Sequence, residues 1–180
     1  MYFKELEKVF IIAEIGVNHG GSIQNAIKMI DAARLAGANA VKFQTFTAQA
    51  LVTTSTPKVK YQEDTTPSNE DHYSMIENLE LSREDHIKIF NYCNSIEIDF
   101  ISTPYDIDSA RFLNEIGVSI FKVASADIVD LPLHEYLASL NKPVIIATGM
   151  STLGEIDEVV KIYRKYKNLN TCLLHCVSNY

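Results

Sequence analysis

The first apolar run of the sequence ends in residues that could do acid–base chemistry. Apolar residues from Val9 to Ile12 are followed by a carboxylate at Glu14, by Asn18 and His19, and by two glycines. Such a strand end is either a polar loop or one wall of a reaction site, where a carboxylate can bind a cation or transfer a proton. His19 likewise has two interpretations, as a solvated turn residue or as part of that site.

Two lysines lie inside apolar runs, where an ammonium group needs a partner. Lys42 lies in the stretch VKFQTF, and Lys122 lies in FKVASAD. A buried, unpaired ammonium is costly. Each lysine therefore pairs with a core carboxylate such as Glu14 or binds an anionic ligand. A third possibility is a Schiff base, because a lysine that is desolvated in a pocket can attack a carbonyl.

Polar side chains recur at the ends of the other predicted strands. Hydroxyls from Thr103, Ser125 and Ser178, together with the two lysines, could cradle a phosphate or a carboxylate. The other candidates at strand ends are Gln44, Thr45, Ser102, Tyr105, Asp127, Thr148, His175, Asn179 and Tyr180.

The remaining histidines do not indicate a metal site. His175, inside LLHC, is more typical of a hydrogen-bonded core histidine than of a ligand, and His72, His86 and His134 are expected at the surface. The sequence has no HExxH motif and no CxxC pair, which are common zinc-binding patterns. We therefore predict no metal ligands in this chain.

These candidates need a scaffold whose strands end in one place. Apolar strands alternate with amphipathic helices about six times, which is typical of a parallel sheet covered by helices. The predicted strands are 9–17, 40–46, 99–104, 119–125, 143–149 and 171–177. The predicted helices are 22–36, 73–79, one that begins after Ser82, 108–116, 133–140 and 153–166. A Thr-rich stretch from 47 to 69 has no periodicity, which is typical of a segment that covers a site or is mobile.

The alternation suits a doubly wound sheet or a (β/α)₈ TIM barrel. A doubly wound sheet concentrates ligand groups at one switch point, whereas barrels build their sites from the carboxyl ends of many strands. Polar residues follow almost every strand here, and no GxGxxG follows the first one. We therefore predict an α/β fold of the barrel type. The barrel is incomplete in this sequence, because about six βα units cannot close a barrel of eight strands.

The bulk composition excludes some classes of protein. The 180 residues carry a net charge of −7 with no basic stretch, which argues against nonspecific nucleic-acid binding. No apolar run approaches the ~20 residues of a membrane span, and the start, MYFKELEK, does not resemble a signal peptide. The three cysteines, without a CxxC, are expected to be reduced thiols in a cytoplasmic protein.

Six stretches resemble the sialic acid synthase family in sequence and in order. They are AEIGVNHGGS, GANAVKFQTF, FISTPYD, FKVASAD, KPVIIATGMSTLGEI and LLHCVSNY, and they cover nearly the whole chain. The resemblance implies a (β/α)₈ barrel that condenses phosphoenolpyruvate with N-acetylmannosamine or a related amino sugar and releases phosphate. The chain departs from the family at Ala147, Asp127 and Ser178, where members often have Ser, Glu and Asn. These departures leave the exact sugar open, and the segments LELS and SADIVDLP make N,N'-diacetyllegionaminate synthase a competitor to N-acetylneuraminate synthase.

The resemblance also implies roles for residues, by matching position. Lys42, Lys122 and Ser125 resemble ligands of phosphoenolpyruvate, and Glu14 resembles an acidic residue near both substrates. The groups that resemble the lining of the sugar or phosphate pocket are Thr103, Asp127 and Tyr180.

The family is expected to contain parts that these residues lack. Its members bind Mn²⁺ or Mg²⁺ through two histidines on later strands. They also have a C-terminal antifreeze-like domain that closes the partner's site in a homodimer. Residues 1–180 are therefore expected to be the N-terminal part of a synthase-type barrel. Two alternatives stay open: a Schiff-base (class I) aldolase that uses Lys122, and a non-catalytic half-barrel that binds an anionic sugar or another subunit.

Overall fold

The computed structural model describes Phe3, residues 6–58, Gln62 and residues 70–178. These residues form parallel strands that alternate with helices along the chain. The strands are β1 (Ile12–Gly16), β2 (Ala40–Thr45), β3 (Asp99–Pro104), β4 (Ile120–Val123), β5 (Val144–Ala147) and β6 (Thr171–Leu174). The α-helices are α1 (Ile23–Leu35), α2 (Ala48–Leu51), α3 (His72–Asn78), α4 (Arg83–Ser95), α5 (Ile107–Glu115), α6 (Leu131–Ser139) and α7 (Leu153–Lys165). A 3₁₀ turn, Ser125–Asp127, follows β4.

The strands form one sheet in the order β1-β2-β3-β4-β5-β6, and every neighbouring pair is parallel. A doubly wound sheet reverses direction at a switch point, whereas each strand here is added beside the one before it. This order confirms the predicted α/β fold built from barrel-type βα units. Within the described residues β1 and β6 remain edge strands, so the sheet is open.

One face of the sheet is covered by helices. Phe43, Phe100 and Phe121, from three neighbouring strands, are buried in one cluster with helix residues that include Ile89 and Leu133. The rings of Phe43 and Phe100 stack with their centroids 5.5 Å apart. Full burial of one such side chain contributes about 1.5–3 kcal/mol, so this helix-side core holds the strands in place.

The other face, called the inner face here, has an apolar floor beneath a polar layer. The floor is a separate buried cluster of Ala40, Ile101, Ile120 and Ile145. Side chains two positions farther along a strand point to the same side. The layer above the floor therefore contains Lys42, Thr103 and Lys122, and β1 adds Glu14, which pairs in register with Lys42.

Helix starts follow their capping side chains. Ser22 and Ser82 cap α1 and α4 as the sequence predicts. Helix α6 begins two residues before its predicted start, because the Asp130 carboxylate caps it there.

The stretch 47–69 differs from its prediction where it is described. It contains α2, which begins when the hydroxyl of Thr47 accepts the Ala50 N–H. Residues 59–61 and 63–69 lie outside the described residues. Among the described helices, none is long and apolar enough to cross a bilayer.

Candidate active site

The polar layer begins with an ion pair on the inner face. Lys42 Nζ lies 2.9 Å from Glu14 Oε2 and donates a hydrogen bond of 3.2 Å to Thr103 Oγ1. The Lys42 side chain is 10% exposed and that of Glu14 is 55% exposed, so the carboxylate reaches towards solvent while the ammonium is nearly buried in the polar layer. The structure thus shows the carboxylate pairing considered for Lys42. Gln44 lies in register with Thr103 at the next level.

Lys122 is the second cation of this layer. Its Nζ donates a 2.8 Å hydrogen bond to the carbonyl of Val123. Burial, and then repulsion from Lys42, lower the pKa of Lys122 to about 8, while Glu14 acts in the opposite direction. The two amines therefore share one electrostatic environment, and an added anion would stabilise the charged form of Lys122.

The 3₁₀ turn after β4 carries Ser125 and Asp127. Burial, followed by repulsion from Asp130, raises the pKa of the Asp127 carboxyl to about 6, against the attraction of Lys122. Asp127 Oδ2 is buried and has no hydrogen-bond partner among the described residues. A carboxyl with such a pKa can hold or release a proton near neutral pH.

Gly149 brings a cluster of small polar groups together. Its N–H donates a 3.0 Å hydrogen bond to Ser125 Oγ. A methyl group on Gly149 would lie 2.5 Å from Ser178 Oγ and 2.9 Å from Ser125 Oγ, so only glycine leaves room for both hydroxyls. Cys176 Sγ lies 3.4 Å from Ser125 Oγ, and this hydrogen bond is the main cause that lowers the pKa of the thiol.

One predicted site residue, Thr148, does not join this cluster. The Thr148 hydroxyl donates a 2.8 Å hydrogen bond to the carbonyl of Leu174, so it connects β5 to β6. Tyr180 lies outside the described residues, as does Asn179.

A cavity of about 620 Å³ opens beside these groups. Gln44, Ser125 and Ser178 line its polar side. Its apolar side includes Phe46, Leu51, Met75, Leu79 and Met150, which the sequence analysis did not select. Phe46, Leu51 and Met150 come a few residues after β2 or β5, whereas only spatial proximity identifies Met75 and Leu79, which are far from any strand end in sequence.

Two predicted strand-end candidates face the helices instead of the cavity. Thr45 and Ser102 alternate with the inner-face residues along β2 and β3, and their hydroxyls lie 2.7 Å apart. His86 Nε2 lies 3.0 Å from the Thr45 hydroxyl.

Three predictions for the histidines are wrong. His86 and His134, expected at the surface, are 2% and 0% exposed because each lies on the inward side of its helix. His175, expected in the core, is exposed because β6 is an edge strand of the described sheet. His19 is 1% exposed and accepts the Gly21 N–H at Nδ1, so it is not a solvated turn residue.

The described residues do not fit a divalent metal. No group of three or more His, Cys, Asp or Glu side chains among them is arranged to hold an ion. His19 accepts the Gly21 N–H, and its ring stacks on Phe43 of the helix-side core.

The sequence and the fold together identify the family. Residues 29–180 match the NeuB family, and the chain belongs to that family. It is 41% identical over 177 residues to the N,N'-diacetyllegionaminic acid synthase of Campylobacter jejuni, covering 97% of this chain and 53% of that protein. It is 43% identical over 175 residues to the protein of the same name in Legionella pneumophila, covering 95% and 49%.

A solved relative has the same fold. The crystal structure of the N-acetylneuraminic acid (sialic acid) synthetase of Leptospira borgpetersenii, in complex with citrate, matches with a TM-score of 0.82 and 35% identity. The match covers 97% of this chain and 56% of that one. The chain thus spans about half the length of the relatives it matches, and those relatives are biosynthetic synthases.

Proposed function

We propose that the protein is a nonulosonic acid synthase that condenses phosphoenolpyruvate with N-acetylmannosamine or a related amino sugar and releases phosphate. The observation that carries this proposal is the pair of inner-face lysines beside the Ser125–Gly149–Ser178 cluster. Two ammonium groups and two hydroxyls match a small substrate that bears both a phosphate and a carboxylate. The names of the relatives support the same reaction.

The lysines would bind and orient phosphoenolpyruvate. Lys42 is already held by Glu14 and Thr103, so its amine is positioned before substrate arrives. Lys122 has only a carbonyl acceptor among its described hydrogen bonds. A substrate anion can therefore pair with the Lys122 ammonium without first breaking an ion pair. Such preorganisation lowers the barrier for attack.

The reaction requires balanced proton transfers. Carbon 3 of phosphoenolpyruvate forms a bond to the sugar aldehyde carbon, and the aldehyde oxygen gains a proton. Water then adds to carbon 2 and loses one proton, and its second proton leaves with the phosphate when the C–O bond to phosphate breaks and carbon 2 becomes a ketone. Asp127, with its pKa near 6, is suited to hold a proton in this sequence, and Glu14 is close enough to Lys42 to contact the same substrate.

The acceptor sugar would occupy the 620 Å³ cavity. Its mixed lining of amide, hydroxyl and apolar side chains suits a sugar that bears an acetamido group, since that group has both a polar amide and a methyl. Both N-acetylmannosamine and a diacetamido sugar satisfy this description. The expected Mn²⁺ or Mg²⁺, the homodimer and the cytoplasmic location stay predictions.

The test is an assay of phosphate release by the product of the reading frame that contains this chain. Phosphoenolpyruvate is supplied with each amino sugar in turn, with and without Mn²⁺. Lys122→Met should abolish release. Lys142→Met is the matched control, because Lys142 is also partly buried but donates to the Val118 carbonyl at the opposite end of the sheet. Absence of release with every acceptor would overturn the proposal.

A Schiff-base aldolase is the second candidate, favoured by the lowered pKa of Lys122. A neutral amine is the form that attacks a carbonyl. Borohydride trapping in the presence of pyruvate separates the two functions. A covalent adduct on Lys122 would favour the aldolase and contradict the synthase.

A further inference from the structure

We infer that His86 is a positioning residue, which fixes the carboxyl ends of β2 and β3 through a directed chain of hydrogen bonds on the helix side of the sheet. This inference concerns the catalytic efficiency of the reaction and so depends on the proposed function. The chain of bonds itself consists of Ser102 Oγ, Thr45 Oγ1 and His86, with the carbonyl of Ser82 at its end.

The chemistry of the partners sets the direction of the chain. His86 Nδ1 lies 3.0 Å from the Ser82 carbonyl, which can only accept, so Nδ1 carries the proton. Burial lowers the pKa of His86, so the ring is neutral and Nε2 is an acceptor. The carbonyl of Gln44 is farther from Nε2, at 3.4 Å, and does not reverse this assignment. The Thr45 hydroxyl therefore donates to Nε2 and accepts from Ser102.

This chain of hydrogen bonds lies directly behind the polar layer. Thr45 follows Gln44 on β2, and Ser102 precedes Thr103 on β3. Gln44 and Thr103 are partners in the sheet register and face the inner side. Holding Thr45 to Ser102 thus fixes the separation of these two inner-face residues, of which Gln44 lines the cavity.

The effect extends to the first lysine. Thr103 accepts the 3.2 Å hydrogen bond from Lys42, so a shift of the β3 end would move the acceptor that orients this amine. Near-complete burial of His86, Thr45 and Ser102 makes it costly to leave one of these polar groups without its hydrogen-bond partner. His86 does not line the cavity itself, and its closer partner on β2 is Thr45 rather than the Gln44 carbonyl, so it would act through Thr45.

Two substitutions of His86 separate positioning from packing. His86→Gln places an amide group near Nε2 and can keep the bond to Thr45. His86→Asn keeps only a group near Nδ1. We expect kcat/KM for phosphoenolpyruvate to fall about tenfold in His86→Asn and to stay within about threefold of wild type in His86→Gln, since a small misplacement of reacting groups is costly.

The matched control is Asn168→Ala. Asn168 is equally buried, and its Nδ2 donates to the Lys142 carbonyl before β5, at the amino end of the sheet. Asn168→Ala should lower the melting temperature as His86→Asn does while leaving kcat/KM unchanged. Hydrogen–deuterium exchange gives a second reading, because amides of residues 42–45 should exchange faster in His86→Asn and not in Asn168→Ala.

If His86→Asn fails to fold, Thr45→Val removes the same link and Thr45→Ser restores it. A folded His86→Asn or Thr45→Val protein with wild-type kcat/KM and unchanged exchange would overturn the inference. An inactive wild-type protein would instead overturn the proposed function. The exchange comparison would then still decide whether His86 fixes the strand ends.

Discussion

Lys122 and Lys142 show how position decides what a buried amine can do. Burial lowers the pKa of both, and each donates to a backbone carbonyl. Lys142, however, lies before β5 at the amino end of the sheet, whereas Lys122 lies beside Lys42 and Asp127 at the carboxyl end. Of the two, only Lys122 shares the electrostatic environment of Lys42 and Glu14, so we expect only Lys122 to bind a substrate anion.

This difference predicts that kcat/KM for phosphoenolpyruvate depends on pH. Lys122 should lose its proton as the pH rises through about 8, so kcat/KM for phosphoenolpyruvate should fall tenfold per pH unit well above that value, since kcat/KM reports the free enzyme. Lys122→Arg stays charged and should remove the decline, even if its activity is lower. Lys142→Arg should keep the wild-type profile. A wild-type profile that is flat from pH 7 to pH 9 would contradict the assignment.

Ionised Asp127 lowers the stability of the folded protein at neutral pH. Its pKa is raised to about 6 in the folded state from an ordinary value near 3.8, so the folded protein holds this proton more tightly than the unfolded chain. Folding stability is therefore lost as pH rises from about 4 to about 6. Asp127→Asn should stabilise the protein by about 1–2 kcal/mol at pH 7.5 and by little at pH 4, while lowering activity.

Chemical denaturation at the two pH values measures this effect. Asp108→Asn is the control, because Asp108 is exposed on α5 and pairs with Arg111. Equal changes in stability at pH 4 and pH 7.5 for Asp127→Asn would show that ionisation of Asp127 is not the cause.

At the scale of single elements, the sequence predicts secondary structure that follows a repeating apolar pattern, and it misses contacts that depend on how two elements meet. The apolar runs and the caps Ser22 and Ser82 predict strands and helices well. Burial of His86 had a signal, because it shares helical spacing with Ile89 and Cys93 on α4. Burial of Thr45 was indicated too, because Thr45 lies on the same side of β2 as the apolar residues Val41 and Phe43. The approach of Cys176 to Ser125 had none, since it depends on how two loops meet.

The turn after β5 gives a prediction for one element. Gly149→Ala would push its methyl group against the Ser125 and Ser178 hydroxyls, so we expect phosphoenolpyruvate binding to weaken at least tenfold, about 1.4 kcal/mol. Gly154→Ala in the first turn of α7 is the matched control, because its methyl group would have only a 3.8 Å contact. Calorimetric titration measures both. Unchanged affinity in Gly149→Ala would exclude this cluster from the anion site.

At the scale of the whole molecule, the alternation of strands and helices predicted a parallel sheet, and the polar residues after nearly every strand predicted its barrel-type order. It could not predict how the two faces divide the histidines, since that depends on which helices cover the sheet. His19, His86 and His134 all lie on the helix side and are almost fully buried. Burial is the main cause that lowers the pKa of each.

Because of these buried histidines, we expect the folded protein to lose stability towards unfolding in mild acid. The unfolded chain binds their protons below about pH 6.5, whereas the folded state resists protonation, in His134 down to a pKa of about 4. Their contribution is complete above pH 6.5 and is lost as pH falls towards 4. Between pH 7 and pH 5, His134→Gln should therefore lose about 2 kcal/mol less stability than wild type. Urea unfolding at both pH values measures this. The exposed control His175→Gln should follow wild type, and parallel curves for all three proteins would contradict the prediction.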